Sequence, residues 1–441
     1  MSMIYSRHDN KAMPLWLRAS LTGSFLLLSS LASAEENKQA LSLEKSIQMG
    51  IEHTPEMKAA RAKIGMQQGK VKQSTVWANP NVSIQLDNVL GAEDGSGGYD
   101  FTEVAVSQAI PIFHAKKQQH QAALGVSKVE AMYQQQQLQL EYAIAQSFFD
   151  VQMKQALLRL NQQHLRAIQQ KQKTKSYQRD ALIRYLTPLD LMRLDIALQA
   201  AKQRLSQSEG LYHEASLSLK ALLGLPLEQT LTLPDLEPVT TPYQRNALNV
   251  ALEQHPSLQM NRQAIAEAEA GIAVAHAQQF ADPVVTLFVR REFLAGQRDT
   301  VTGLVVSMDA PVWNKNEAGV TQAKYSVQQN QAALATAQRD LKTNVHKSFL
   351  HVNHLIEQAN HYQKNVLQPA KKMLRLTYQA FDAGELSVLN VIDAYKTSFD
   401  TQAAYIQMLA SAWQELALLR LNAGISVIGY TDSTPQLEKT Q

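Results

Sequence analysis

The chain contains an internal repeat of about 200 residues, and this duplication constrains its fold more than any other feature of the sequence. Residues 106–113, Val-Ser-Gln-Ala-Ile-Pro-Ile-Phe, return at residues 306–313 as Val-Ser-Met-Asp-Ala-Pro-Val-Trp. Shorter matches before and after this run keep nearly the same spacing, as far as Gly224 and Gly424. One unit has therefore been duplicated, and each copy is much longer than the repeat of a solenoid.

The N-terminus has the pattern of a secretory signal peptide. Lys11 and Arg18 precede an apolar run from Leu21 to Leu31, and small residues follow at 32–34. The run is too short to span a bilayer as a retained helix, which disfavours the alternative of a membrane anchor. We therefore expect residues 1–34 to be removed and the mature chain to be exported across the inner membrane.

The composition excludes several classes of function. The 441 residues include no cysteine, so disulfides, thiolate catalysis and thiolate metal ligands are ruled out. The formal net charge is only +3, and no cluster of Lys and Arg indicates nucleic-acid binding. Neither a phosphate-binding loop nor a nucleophile with a base and an orienting group is evident. We expect a protein that is not an enzyme and has no catalytic residues, cofactor or bound metal.

Each repeat is predicted to contain a helical start, a strand hairpin and two very long helices. We assign residues 35–240 to the first repeat, residues 241–428 to the second and residues 429–441 to a flexible tail. The predicted strands are 81–90, 99–109, 284–293 and 300–309, and the predicted long helices are 112–182, 188–223, 313–382 and 387–423. The helices come from stretches without Gly or Pro, with Pro369 as a predicted kink. Helices of this length require coiled-coil-like packing side by side. Two apolar stripes, one through Leu138, Ala145 and Phe149 and one through Tyr395, Phe399 and Trp413, are predicted core seams, with a binding groove as the alternative.

The predicted strands have one apolar face and one mostly polar face, which is typical of strands in a transmembrane barrel. A half-buried hairpin of a soluble protein alternates in the same way. Aromatic residues at all four junctions between helix and strand favour the membrane, because aromatic girdles mark bilayer interfaces. These residues are Trp77, Phe113, Phe280 and Trp313. Ordinary core packing of the aromatic rings is the alternative.

Four strands are too few to close a barrel, since the smallest membrane barrels have eight. An open sheet edge is excluded from lipid because its backbone groups would lack hydrogen-bond partners. A trimer supplies twelve strands and leaves room for a pore. The predicted fold class is therefore mainly α with a transmembrane β part: long helical hairpins plus four strands per chain, with a 12-stranded barrel completed in a homotrimer.

Three stretches carry a family resemblance: the helical opening at 41–47, the junction at 106–113 and the run Phe-Asp-Ala-Gly-Glu-Leu-Ser-Val-Leu-Asn-Val-Ile-Asp-Ala at 381–394. On these stretches the chain resembles the outer-membrane efflux protein family of the TolC type, from about Leu41 to Gly424. The stretch Ala78-Asn79-Pro80 and the following Asp87-Asn88 are most similar to the heavy-metal, CzcC-like branch.

The resemblance implies a homotrimeric channel-tunnel in outer-membrane lipid, with a long periplasmic extension. It also implies two protein partners, a periplasmic adaptor and an inner-membrane transporter of the resistance-nodulation-division type. The expected function is a passive exit duct of a tripartite efflux pump, with heavy-metal cations as the substrate. A duct for drug efflux or type I protein secretion is the alternative within the same fold. A soluble periplasmic coiled-coil scaffold is the alternative from another class.

The turns between the long helices are the candidate functional segments. By resemblance they form the periplasmic tips that contact the adaptor, with Tyr185, Thr187, Pro188, Leu189, Gly384, Glu385, Ser387 and Leu389 as the contacting residues. Asp190, Asn390 and Asp393 are the candidate residues of the pore gate, because three copies of a carboxylate around a narrow entrance favour cations. The alternative is that both carboxylates only stabilise the first turns of their helices.

Four histidines, His346, His351, His354 and His361, lie along one predicted helix. A metal exporter makes a ligand role tempting, since imidazole is a common metal ligand. We find no convincing carboxylate partner for them in the sequence, and histidines on a long polar helix are usually solvated. They are therefore not assigned to a metal site.

Overall fold

The computed structural model describes residues 40–87, 101–177, 187–239, 243–294 and 297–428. The predicted signal peptide at 1–34, the predicted hairpin loop at 91–98 and the predicted tail at 429–441 lie outside these ranges.

Helices and strands follow the same order in both halves of the chain. The first half contains α1 (Leu43–His53), α2 (Pro55–Gln73), β1 (Asn81–Asp87), β2 (Phe101–Ala109), α3 (Ala115–Tyr177) and α4 (Pro188–Leu223). The second half contains α5 (Arg245–Glu253), α6 (Pro256–Ala277), β3 (Val284–Leu294), β4 (Gln297–Ser307), α7 (Glu317–Tyr362), a π-helical segment (Gln363–Leu367), α8 (Gln368–Asp382) and α9 (Val388–Ala423).

The four strands form one antiparallel sheet in the order β1-β2-β3-β4. Asn81 pairs with Ser107 in the first hairpin, and Glu103 pairs with Arg290 where β2 joins the two halves. The β4 strand begins at Gln297, before the expected start near residue 300, and pairs with β3 along its whole length. In the part of the sheet that the structure describes, β1 and β4 are the two edges.

One face of the sheet is apolar and exposed in the single chain. The register aligns Val82 with Val106, and Leu287 with Leu304. Side chains of this set are between 42% and 67% exposed: Val82, Ile84, Leu86, Val104, Val106, Leu287, Val289, Leu304 and Val306. The opposite face includes the pair Ser107 and Thr286, whose hydroxyl oxygens are 2.9 Å apart. The predicted alternation of apolar and polar residues is therefore present in the folded sheet, except on β4, where the exposed Val301 and Val305 lie on the otherwise polar face.

The long helices differ between the two halves. Helix α3 has 63 residues without a break, about 95 Å at the rise of an α-helix. Its counterpart is interrupted by the π-helical segment Gln363–Leu367, which ends two residues before Pro369. Proline lacks an amide proton and its ring crowds the carbonyl four residues earlier, so a wider turn relieves the contact there. Within the described ranges, no helix combines the length and the apolar character needed to cross a membrane.

Helix α3 is the centre of the packing, in contact with α2, α4, α6 and α9. The stripe predicted as a core seam on this helix contains Leu138, Ala145 and Phe149, which are all buried. Phe149 stacks on Trp413 of α9 with ring centroids 5.1 Å apart. The Trp413 indole also donates a hydrogen bond to the Glu237 carbonyl oxygen at 2.6 Å. These contacts tie the last helix to the first half of the chain.

A buried carboxylate holds the segment after α9 against α3. Glu141 is fully buried, and its Oε2 accepts hydrogen bonds from the Ser426 hydroxyl at 2.7 Å and the Val427 amide at 2.9 Å. A buried carboxylate needs such donors because removing its charge from water is costly. Arg420 extends the anchor, since its Nη1 donates to the Val427 carbonyl oxygen at 2.9 Å.

The duplication extends to the ends of the last helix in each half. Gly224 ends α4 with φ of 67°, and Gly424 ends α9 with φ of 75°. Both are left-handed C-terminal caps, in which glycine avoids the steric cost of a Cβ atom. Their surroundings differ: a Cβ at Gly424 would lie 2.9 Å from His255 Cδ2, whereas one at Gly224 would lie 3.4 Å from His53 Cβ.

Gly424→Ala is expected to destabilise the protein more than Gly224→Ala. Both substitutions carry the left-handed backbone cost of about 1–2 kcal/mol. Gly424→Ala adds a steric clash with the rigid imidazole, for which overpacking costs of about 1–3 kcal/mol are typical. Unfolding midpoints of the two variants in the same detergent measure the difference. Equal midpoints would show that the His255 ring moves aside without cost.

His255 caps the start of α6, and its two hydrogen bonds require a neutral imidazole. Its Nδ1 accepts from the Ser257 amide at 3.0 Å, and its Nε2–H donates to the Leu421 carbonyl oxygen at 3.1 Å. Burial lowers the pKa of His255, while the hydrogen bond to Leu421 acts in the opposite direction. Protonation would place a second proton on Nδ1, facing the amide proton of Ser257.

Lowering the pH is therefore expected to destabilise the wild type more than the His255→Thr variant. Threonine is chosen because Thr54 occupies the equivalent position in the first repeat. Between the ordinary histidine pKa of about 6.5 and the lowered folded value, the unfolded chain binds more protons. Stability contributed by neutral His255 is then complete above about pH 6.5 and decreases as the pH falls through this window. Unfolding midpoints from about pH 7.5 to about pH 5.5 test this; parallel curves would exclude His255 as the cause.

Candidate pore entrance

The first candidate gate residue, Asp190, is engaged by the start of its own helix. Thr187 caps α4, and its Oγ1 accepts a hydrogen bond from the Asp190 amide at 3.2 Å. In return, Asp190 Oδ2 accepts from the Thr187 amide at 3.1 Å and from the Thr187 hydroxyl at 2.8 Å. This is a reciprocal capping box, in which both side chains satisfy amides that the helix leaves unpaired.

Asp190 also lies beside a cation on the next turn. Its Oδ1 is 3.6 Å from Arg193 Nη1, and the Asp190 side chain is only 14% exposed. The carboxylate is therefore partly neutralised and turned toward its own helix. The stabilising role that we kept as the alternative for Asp190 is thus present in the single chain.

The matching helix start in the second half has a different charge pattern. Ser387 occupies the N-cap position of α9, and its hydroxyl donates to Asn390 Oδ1 at 2.8 Å. Unlike Thr187, the Ser387 side chain makes no capping hydrogen bond to the α9 backbone. Asp393 is exposed and occupies the position that corresponds to Arg193. The second helix start therefore has a carboxylate where the first has a guanidinium group.

The described tip residues lie at the starts of α4 and α9 and in the turn before α9. Gly384 has φ of 82° and allows the tight turn between α8 and α9. The side chains of Leu189 and Leu389 are about half exposed. The other exposed tip residues are Thr187, Pro188, Glu385 and Ser387. Tyr185 lies outside the described residues.

An apolar groove of about 370 Å³ runs between α3, α4 and α9, next to these tips. Leu194 and Ala197 of α4 face Val391 and Ile392 of α9 across it. The basic side chains along the groove are Arg193, Arg204 and Lys396. The groove reflects the sparse direct contact between α4 and α9, which both pack on α3.

His164 lies at the floor of this groove in an aromatic cluster. Its ring stacks on Phe399 at 4.9 Å and lies 5.4 Å from the ring of Tyr395. Burial lowers the pKa of His164, and the Arg204 charge lowers it further, while Asp400 acts in the opposite direction. Burial also raises the pKa of Tyr395 to about 12. Sequence reasoning missed His164, although the stripe containing Tyr395 and Phe399 was visible.

The four junction aromatics fall into two kinds. Phe113 and Phe280 pack on each other, with ring centroids 5.5 Å apart. Trp77 is half exposed, and Trp313 is 95% exposed in the single chain. The contact between the two phenylalanines is the packing role that we considered, whereas the membrane-interface role of the exposed tryptophans stays a prediction.

The junction itself is fastened by Asp282. Its Oδ1 accepts a hydrogen bond from the Phe113 amide at 3.2 Å, and its Oδ2 lies 2.9 Å from His114 Nδ1. This carboxylate belongs to the second half of the chain and holds the start of α3 in the first half. The sequence match between Asn79-Pro80 and Asp282-Pro283 marks the position but does not indicate the contact.

The histidines of α7 are not gathered at one point. His346 Nδ1 lies 3.1 Å from Arg245 Nη2, and His351 Nδ1 lies 3.2 Å from Glu415 Oε2. His351 thus has a carboxylate partner on α9 that the sequence did not reveal. In the ranges covered by the structure, no group of three or more His, Asp or Glu side chains is arranged to hold a metal ion.

Comparison with known proteins adds a family and a set of related structures. The family model described as outer membrane efflux protein matches residues 46–225 and again residues 247–424. The cobalt-zinc-cadmium resistance protein CzcC of Cupriavidus metallidurans is 23% identical over 230 residues, which are 51% of this chain and 50% of that protein. The match thus spans about half the length of this curated relative.

Solved structures resemble the chain over most of its length. A structure of CusC, described in connection with transmembrane channel formation, has a TM-score of 0.71 and 19% identity, covering 88% of this chain and 92% of that one. The open state of the MtrE outer membrane channel from Neisseria gonorrhoeae has a TM-score of 0.69 and 18% identity, covering 88% and 89%. These similarities confirm the predicted fold class of long helical hairpins with four strands per chain.

Thr187→Ala is expected to loosen the start of α4 much more than Ser387→Ala loosens the start of α9. Loss of a capping side chain costs about 1 kcal/mol, which corresponds to roughly fivefold faster local opening. Ser387 is the matched control because its hydroxyl bonds to a side chain rather than to the helix backbone. Hydrogen exchange of the first-turn amides measures both. Similar acceleration at the two helices would contradict a capping role that is specific to Thr187.

Proposed function

We propose a channel function for this chain, which belongs to the outer membrane efflux protein family. Three copies would form the outer-membrane duct of a tripartite efflux pump, through which substrate leaves passively. The observation that carries the proposal is the four-stranded sheet, which has one exposed apolar face and two edges within the described chain.

The sheet supports the trimer through its strand directions. Because β1 and β4 are antiparallel edges, β4 of one copy can pair with β1 of the next and keep every neighbour antiparallel. Such pairing satisfies the edge amides and carbonyls that lipid would leave without partners. Three copies provide twelve strands, and the apolar face then meets lipid while the polar face lines the lumen.

The helices support a long conduit on the periplasmic side. Helix α3 alone is about 95 Å long, and it packs side by side with α4 and α9. The tips of α4 and α8–α9 lie at the far end from the strands, where an adaptor would dock. Energy for transport would come from an inner-membrane transporter, for which we propose the resistance-nodulation-division type.

The gate proposal now centres on Asp393 rather than Asp190. Asp190 is held by Thr187 and Arg193, whereas Asp393 is exposed on the second turn of α9. Three copies of Asp393 around the entrance would attract cations and repel anions. Asn390, one turn earlier, contributes hydrogen-bonding capacity without charge.

Heavy-metal cations are the substrate class that we propose. The support is the similarity to CzcC, a cobalt-zinc-cadmium resistance protein, together with the acidic residue proposed at the entrance. Ducts for drug efflux or type I secretion would share the same fold, so the substrate needs its own experiment. A soluble periplasmic scaffold is disfavoured because it would leave the apolar face of the sheet in water.

Two measurements test the proposal. Membrane fractionation of the expressed protein should recover a heat-resistant trimer in the outer membrane, and a monomer in the soluble periplasm would refute the channel. Deletion of the gene should lower tolerance to cobalt, zinc or cadmium, with tolerance restored by the intact gene. A strain that loses drug tolerance or protein secretion instead would reassign the substrate but keep the channel.

Asp393→Asn is expected to lower the cation preference of the channel in planar bilayers. A unit charge about 7 Å from a passing ion contributes about 0.6 kcal/mol in water, with opposite sign for K⁺ and Cl⁻, so even one lost charge lowers their permeability ratio about sevenfold. Because the trimer loses three charges, the ratio should fall by at least this factor. Asp190→Asn is the matched control and should change the ratio less, because Arg193 already compensates Asp190. A larger effect at Asp190 than at Asp393 would return the gate to α4.

A further inference from the structure

A salt bridge on the polar face of the sheet joins the two halves of the chain. Arg290 on β3 is the register partner of Glu103 on β2. Its Nε and Nη2 atoms lie 3.0 Å and 2.9 Å from Glu103 Oε2. Both donors converge on one carboxylate oxygen, which is a charge-assisted arrangement and therefore stronger than a neutral hydrogen bond.

Aromatic rings fix the position of this arginine. The Arg290 guanidinium lies 4.8 Å from the ring centre of Phe101 and 5.2 Å from that of Phe288. The Phe288 ring in turn covers Gly303 on β4, where an added Cβ would come within 2.4 Å of it. Three residues from two strands thus hold one cation in place, which exceeds what a solvated surface ion pair requires.

The alternation of the strands assigns the pair to the face opposite the apolar surface. Glu103 is followed by Val104, which is exposed on the apolar face, and Arg290 is preceded by Val289 on that face. The row continues on β1, where Gln85 is the register partner of Glu103. If the sheet closes as proposed, this row lines the channel, because it lies on the face opposite the apolar surface that meets lipid.

We propose that Glu103 and Arg290 form a ring of compensated charges that keeps the strand section of the channel free of charge preference. This inference rests on the proposed channel function. Three carboxylates and three guanidinium groups at one level leave no net charge there. A passing cation is neither held by Glu103 nor repelled by Arg290, so the entrance rather than the exit sets the charge preference. Removal of either partner would expose the other.

Planar-bilayer recordings of three variants test the ring. Arg290→Gln leaves three unpaired carboxylates and should raise the permeability ratio of K⁺ to Cl⁻ at least about sevenfold. Glu103→Gln leaves three unpaired guanidinium groups and should lower the ratio by a similar factor. The double variant Glu103→Gln with Arg290→Gln should return the ratio close to that of the wild type.

Arg291→Gln is the matched control, because Arg291 is the next residue along β3, is exposed and alternates to the other face. It should leave the ratio unchanged. Single variants that conduct with wild-type selectivity would overturn the ring and reduce the pair to a cross-strand brace. If Arg290→Gln does not assemble, two other variants test the ring: Glu103→Gln, and the charge swap that combines Glu103→Arg with Arg290→Glu. The swap should assemble and keep wild-type selectivity, and a swap with strongly altered selectivity would contradict compensation.

The same recordings separate this inference from the proposed function. A wild-type protein that forms no conducting channel would refute the channel itself. A wild type that conducts, with variants that assemble as trimers but do not shift the reversal potential, would refute only the charge ring.

Discussion

The backbone groups along β1 and β4 impose the constraint on which the rest of this structure depends. A sheet with an exposed apolar face is suited to lipid, and lipid tolerates no unpaired strand edge. Four strands can meet that requirement only by pairing with other copies. The long helices follow the strands directly, through junctions held by Asp282 and by the Phe113–Phe280 contact. Closure of the strands would therefore also set the spacing of the helices.

Duplication gives the chain two similar hairpins, but the copies have diverged in their charges. Asp190 faces Arg193 in the first copy, while Asn390 and Asp393 occupy the same positions in the second. At the first helix start the carboxylate is therefore paired with a guanidinium group and the helix is well capped. The second helix start has an exposed carboxylate and no side-chain hydrogen bond to the helix backbone. In the proposed channel, the first hairpin would then serve as structural support and the second would contact the transported substrate.

Much of the fold could be predicted from the sequence, because its signals are local. Long stretches without Gly or Pro predicted the helices, and alternation predicted the hairpins that β1 to β4 form. The stripe through Leu138 and Phe149 identified the core of α3. Contacts between distant elements could not be predicted in this way. The Glu103–Arg290 pair depends on the register between β2 and β3, and the His351–Glu415 pair on how α7 packs against α9.

The π-helical segment Gln363–Leu367 has a mechanical consequence for the proposed trimer. Helix α3 is one continuous rod, whereas α7 and α8 are two rods joined at a turn with weaker hydrogen bonding next to Pro369. In a ring of three chains, the continuous helix α3 would then alternate with the interrupted pair α7 and α8. Bending forces at the far end would concentrate at three joints, so the tube would deform with threefold rather than sixfold symmetry.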